Sequence, residues 1–203
     1  MCSPAHRVRN NLQTISALLA MQLRRVEPHS QGAKALRESA ARIQSIAAIH
    51  NLLSREDVGV TTVNAVARQV VESAQATLVS SDAPVKFAIT GDAVRVGSRD
   101  ATVLALVINE LISNALTHGM AAEGGRVEIV ALLSDGMVTV KVRDDGPTHP
   151  PPPASHSSGL GLQIIETLVH EDLGGNFLLF REEDGGWMCA RVQFPQRMIT
   201  EEN

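Results

Sequence analysis

The chain has 203 residues, 44% of them hydrophobic and 20% charged, a globular composition that excludes a disordered or fibrous protein. Its 18 Lys and Arg against 22 Asp and Glu leave a net charge of −4, and its aromatics are four Phe and one Trp, so no basic face or base-stacking platform for direct nucleic-acid binding is expected. Cys2 and Cys189 fit no metal-ligand spacing and are too few for a disulfide scaffold; with no secretory signal and no apolar run of about 18 residues, free thiols, a cytoplasmic location and no membrane segment are expected.

From Ala5 to about Glu27 the sequence reads as one long helix, with Val8, Leu12, Ile15 and Leu19 at helical steps along one face. Pro28-His29-Ser30-Gln31-Gly32 breaks it. A second helix is predicted from about Ala33 to Leu53, with Leu36, Ala40, Ile43, Ala47 and Ile49 or His50 near its inner side. The short connection makes the two helices antiparallel neighbours. They cannot bury both stripes alone. Either two hairpins form a four-helix bundle in a homodimer, or the hairpin packs on the rest of its own chain; the narrow aliphatic seam is the kind that bundles use. Helical rotation of about 100° per residue puts His6 and Asn10 about 160° and 200° from Val8, one turn apart and away from the seam. By itself such a pair is an ordinary solvated surface.

After residues 54–59 the texture changes. Residues 63–78 read as a helix and 84–89 as a strand. A further helix is predicted to begin at Ser98-Arg99-Asp100, where Ser or Asp can accept free amide hydrogens, and to run to Ala115. Residues 126–133 and 137–143 alternate as two strands joined by Ser134-Asp135-Gly136. A proline-rich loop follows, then a helix from about Leu160 to His170 and strands near 176–181 and 187–194. Helices segregated from a largely antiparallel sheet predict an α+β chain, a helical hairpin followed by a two-layer α/β sandwich. The shifts in texture divide it into 1–58, 59–197 and a tail, 198–203.

Three clusters carry chemistry. In Asn109-Glu110-Leu111-Ile112-Ser113-Asn114-Ala115-Leu116-Thr117-His118, the residues Glu110, Asn114 and His118 follow at steps of four, a carboxylate, an amide and an imidazole along one helical face. Such groups need partners or water, and an amide oxygen suits Mg²⁺; the bland alternative is a solvent-facing stripe. In Arg143-Asp144-Asp145-Gly146, a strand delivers two carboxylates beside a glycine. A carboxylate there can accept from an exocyclic amine such as adenine presents, although Asp-Gly is also a common turn. In Ser158-Gly159-Leu160-Gly161-Leu162, glycines open a helix whose first turn lacks an acid, which can hold an anion on free amides. A lone Gly-x-Gly is weak, and this one is neither a dinucleotide fingerprint nor a P-loop.

Asn114 and Asp144 lie 30 residues apart, and Asp144 and Gly159 lie 15 apart. In that order and spacing the clusters resemble the N box and the two glycine boxes of the Bergerat-type ATP-binding (GHKL) domain of histidine kinases and related ATPases, over roughly residues 60–196. The stretch His6-Arg7-Val8-Arg9-Asn10-Asn11-Leu12-Gln13 is similar to the phosphoacceptor box of the histidine kinase subfamily whose acceptor is followed by Arg-x-Lys-Asn-Asn-Leu-Gln.

The resemblance implies a two-component sensor kinase core acting as a homodimer. His6 takes the γ-phosphoryl group of ATP and an aspartate of a response-regulator receiver domain receives it. Asn114 ligates Mg²⁺, and Glu110 orients or deprotonates the attacking group. Asp144 binds the adenine amine, Gly146 shapes the pocket, and His118 lines the nucleotide site. Gly159, Leu160, Gly161 and Leu162 hold the phosphates. Asn10 aligns water for dephosphorylating the partner. Several positions depart from the family pattern: Thr148 replaces a glycine, the loop 147–158 carries prolines and no Lys or Arg, Thr117 replaces a common Lys, and Trp187 follows Gly186 where Thr is usual. Only five residues precede His6, which puts it near a helix end expected to fray. A second function stays open, an ATP-independent dimeric histidine phosphotransferase or pseudokinase scaffold. A serine kinase of the anti-sigma type would share the nucleotide domain and lack the hairpin.

Overall fold

The computed structural model describes residues 14–15, 17–27, 30–55, 59–77, 84–119, 124–146, 160–183 and 186–197. His6, Asn10 and Gly159 lie outside them.

Residues 14–15 and 17–23 are helical (α1), and the chain turns at 24–26. Helix α2 is Gln31–Arg55. It starts ahead of the predicted Ala33 because Ser30 caps it, accepting the Ala33 amide at 3.1 Å and donating to the Glu27 carbonyl at 2.7 Å. Strand β1 (Val60–Thr62) leads into α3 (Val63–Thr77), capped by Thr62 Oγ1, which accepts the Ala65 amide at 3.2 Å. Next come β2 (Val85–Gly91), β3 (Arg95–Gly97) and α4 (Ser98–Asn114), then β4 (Gly125–Ser134) and β5 (Met137–Asp144). Helix α5 (Leu160–Thr167), β6 (Asn176–Arg181) and β7 (Met188–Pro195) complete the described order.

The capping expected at α4 is corrected. Gly97 precedes the helix with no side-chain cap, Ser98 Oγ donates back to the Gly59 carbonyl at 2.8 Å, and Asp100 takes the Arg197 guanidinium at 2.8 Å. These hydroxyl and carboxylate groups tie α4 to distant segments instead of to its own amides. Both later helices end sooner than predicted, each passing into a wider π-helical turn, Ala115–Gly119 after α4 and Leu168–Asp172 after α5.

The main sheet has the order β2-β4-β5-β7-β6, with β2 parallel to β4 and the other pairs antiparallel; β1 and β3 form a separate two-stranded ladder. Alternation along the strands sends Val127, Ile129, Ala131, Val138, Val140, Val142, Val192 and Phe194 to one face, where they meet Val66 and Val70 of α3, Leu104, Ile108 and Ile112 of α4, and Ile165 of α5. This is the predicted α+β sandwich. Gly91 marks a tight approach: at φ +98° its Cβ position lies 2.0 Å from the Ala131 carbonyl oxygen. Gly91→Ala is therefore expected to destabilise the domain by about 2 kcal/mol or more, read as a lower urea midpoint.

Helix α2 lies over α3 and α4 as a third layer. The packing set against dimerisation in the sequence is thus adopted by α2, while Ile15, Leu18 and Met21 of α1 stay 43%, 54% and 56% exposed. Enclosed between α2 and the sheet, α4 is almost wholly buried from Asp100 to Ile112. The segment Ser98–Thr117 is also long and apolar enough to cross a membrane by length and composition, although no run of that kind was expected; 67% of its apolar window is inside the fold, as in a core helix. Cys189 is a free buried thiol, and burial pushes its pKa up to about 11.

Candidate active site

Helix α4 carries Glu110 and Asn114 one turn apart, near the end that faces α5. Glu110 is only 4% exposed, and a carboxylate so far from water needs a cation or several donors. Arg42 of α2 supplies them. Its Nε donates to Oε1 and its Nη2 to Oε2 at 2.7 Å, a two-point clamp on one carboxylate.

Asn114 is less well served. Its Nδ2 is buried with no hydrogen-bond partner among the described residues. Gly161, the second residue of α5, covers both side chains: a Cβ there would sit 3.1 Å from Glu110 Oε2 and 3.8 Å from Asn114 Oδ1. The glycine thus leaves a cradle in which a carboxylate, a carboxamide and the amino end of a helix converge. No acid lies in the first turn of α5, so its free amides and positive end favour an anion. The orphaned amide and the cradle fit a phosphate chain with its Mg²⁺, to which the Asn114 carbonyl oxygen is a suitable hard ligand.

At the end of β5 the two neighbouring carboxylates separate. Asp144 points inward, is 5% exposed and accepts the Gly146 amide at 3.1 Å; Gly146 is buried as well. Asp145 points outward and accepts the Arg126 amide at 2.7 Å, closing the β4–β5 ladder. Strand alternation explains why only Asp144 faces the helices. Strand β5 touches both α4 and the turn after it, so Asp144 belongs to the same side of the sheet as Glu110 and Asn114. Trp187 lies under Arg143 at 5.0 Å and Arg126 at 6.0 Å, with Arg143 on the sheet face opposite Asp144.

The structure therefore brings together Glu110, Asn114 and Gly161, with Asp144 and Gly146 at the adjoining strand end. Leu162 is half-buried and packs on the core, whereas Leu160 is described only as the first residue of α5. The backbone of His118 lies in the π-helical turn, so its four-residue step from Asn114 loses the α-helical register; its side chain is outside the described residues. Among the described residues, no group of three or more His, Cys, Asp and Glu stands ready to hold a metal. Sequence reasoning missed Arg42. The one available signal is its position between buried Ala41 and half-buried Ile43, on a helix otherwise read for its apolar seam.

Two family descriptions match the chain, "Histidine kinase" over residues 5–78 and "Histidine kinase-, DNA gyrase B-, and HSP90-like ATPase" over residues 99–198. Sensor histidine kinase PdtaS of Mycobacterium tuberculosis is 38% identical over 174 residues, covering 84% of this chain and 34% of that protein. PdtaS of Mycolicibacterium smegmatis is 36% identical over 184 residues, covering 89% of this chain and 36% of its own. The chain thus spans about a third of the length of these relatives. Among solved structures, the histidine kinase domain of the Erythrobacter litoralis blue-light activated kinase EL346 shares the fold, with a TM-score of 0.66 at 18% identity over 91% of this chain and 96% of that one.

Proposed function

The chain belongs to the histidine kinase family, and on that premise we propose that it is the ATP-dependent core of a two-component sensor kinase. The observation that carries this reading is the cradle under Gly161, where Glu110 and the Asn114 amide, unpartnered among the described residues, converge. In the proposed reaction an imidazole nitrogen of His6 attacks the γ-phosphorus of ATP and the bond to the bridging oxygen of ADP breaks. ADP leaves, and the imidazole proton passes to Glu110. Phosphohistidine then gives its phosphoryl group to an aspartate of a receiver domain, with Asn10 placed to align water when the partner is dephosphorylated. Mg²⁺, held by the Asn114 carboxamide oxygen together with phosphate oxygens, would neutralise the charge that builds up on the transferring group. Asp144 accepts the adenine amine, Gly146 leaves room beside it, and Gly159 and Gly161 let backbone amides approach the phosphates. Most of the rate comes from positioning and charge neutralisation, since a neutral imidazole is already a competent nucleophile.

In this reading residues 1–58 form the phosphoacceptor hairpin, 59–197 the ATP-binding domain and 198–203 a tail. The end of α2 at Arg55 and the start of β1 at Val60 support that division, although the histidine kinase match runs on through α3. The exposed Ile15, Leu18 and Met21 support a homodimer through the hairpin. Incubation with Mg²⁺ and γ-labelled ATP tests the reaction. Label lost in acid, retained in base and mapped to the peptide containing His6 is expected; acid-stable label, or label on another peptide, would overturn the assignment.

A further inference from the structure

Arg42 belongs to the hairpin, not to the nucleotide half, yet its guanidinium closes on both oxygens of Glu110. The two side chains are 20% and 5% exposed, so the pair is largely shielded from water. Resting on the nucleotide reading above, we propose that Arg42 is a latch. It occupies Glu110 while the site is empty, so that loading Mg²⁺ with ATP and releasing α2 from α4 become a single event.

Three observations carry this. First, a guanidinium seated on both oxygens holds the Glu110 carboxylate turned toward α2, so whatever else binds Glu110 competes with Arg42 for it. Second, the absence of a side chain at Gly161, whose Cβ position lies 3.1 Å from Glu110 Oε2, leaves the cradle side of the carboxylate open to a replacing cation. Third, a carboxylate buried this deeply is costly to leave without a counter-charge, so one cation must replace another at Glu110. The replacing cation arrives with the nucleotide. The displaced one sits on α2, which follows in the chain the segment that carries His6. Exchange of cations at Glu110 therefore frees the hairpin to move when there is a phosphoryl group to receive. Arg42 is a positioning residue: it acts through Glu110 and touches no substrate.

The test uses the full chain, with Arg42→Gln, the charge-retaining Arg42→Lys, and a non-hydrolysable ATP analogue with Mg²⁺. By calorimetry, Arg42→Gln is expected to bind the analogue three- to tenfold more tightly than the parent, with Arg42→Lys in between. In a Glu110→Gln background, Arg42→Gln is expected to add nothing, a non-additivity that loss of packing alone would not give. Hydrogen exchange on the unmutated chain supplies a second readout that needs no variant to fold: saturating analogue should raise exchange across the amides of α2. If the parent binds while Arg42→Gln binds no more tightly, or if α2 stays equally protected on loading, the latch is overturned and the nucleotide site stands. Binding by the variant alone supports the latch. Binding by neither protein overturns both readings.

Discussion

Asn114→Ala is expected to lower phosphate incorporation from ATP by about 100- to 1,000-fold while leaving the fold as stable as before or more so. His6→Gln is expected to abolish incorporation and leave nucleotide binding intact. The first expectation follows from the orphaned Asn114 amide, whose Nδ2 is buried without a partner among the described residues. A buried unpaired amide costs about 1–3 kcal/mol, and Ala is the better helix former by about half a kcal/mol. Truncation removes that penalty at the end of α4 and loses little apolar packing. A residue whose removal stabilises the protein and abolishes its chemistry is retained for the chemistry. The second expectation separates acceptor from donor site, because His6 belongs to the proposed phosphoacceptor segment and Asn114 to the end of α4. Thermal melts, calorimetry with the Mg²⁺ complex of a non-hydrolysable ATP analogue, and labelling distinguish the cases. A destabilised Asn114→Ala protein that still incorporates phosphate would return Asn114 to a structural role.

The local signals in the sequence were strong where each residue has one job. Alternation placed β5 and β7 to within a residue, and Ser134-Asp135-Gly136 placed the turn between β4 and β5, with Asp135 at a positive φ of 50°. What could not be read is what depends on a partner far along the chain. The parallel pairing of β2 with β4 and the small β1–β3 ladder leave no pattern within either strand. Ser98 has the chemistry of a cap and is used as a tie to Gly59. Arg42 looks like a solvated charge on an amphipathic helix until α4 is laid against it, and only then does Glu110, 68 positions away, become its partner. Glu110 and Asn114 were legible as neighbours on α4 because their spacing is local. Their state, one clamped and one orphaned, is set by α2 and α5.

The same division between local spacing and distant partners bears on the other end of the site. Asp144→Asn is expected to weaken nucleotide binding by ten- to a hundredfold and to leave the domain folded. The Asp144 carboxylate is 5% exposed at the end of β5, between Val127 of β4 and Met188 of β7, and accepts the Gly146 amide. Asn keeps an oxygen for that amide, so the backbone at Gly146 has its acceptor in the variant. The second oxygen becomes an NH₂, which presents a donor to the exocyclic amine of adenine, itself a donor. A hydrogen bond to a charged group is worth about 1.5–3 kcal/mol, which corresponds to the expected range of affinity. Discrimination should fall as well, since a nucleotide carrying a carbonyl in place of that amine can accept from the new NH₂. Calorimetry comparing ATP with GTP on the parent and on Asp144→Asn checks both parts. A variant with unchanged affinity and unchanged preference would remove Asp144 from the base-binding wall and leave it as the acceptor that shapes the turn at Gly146.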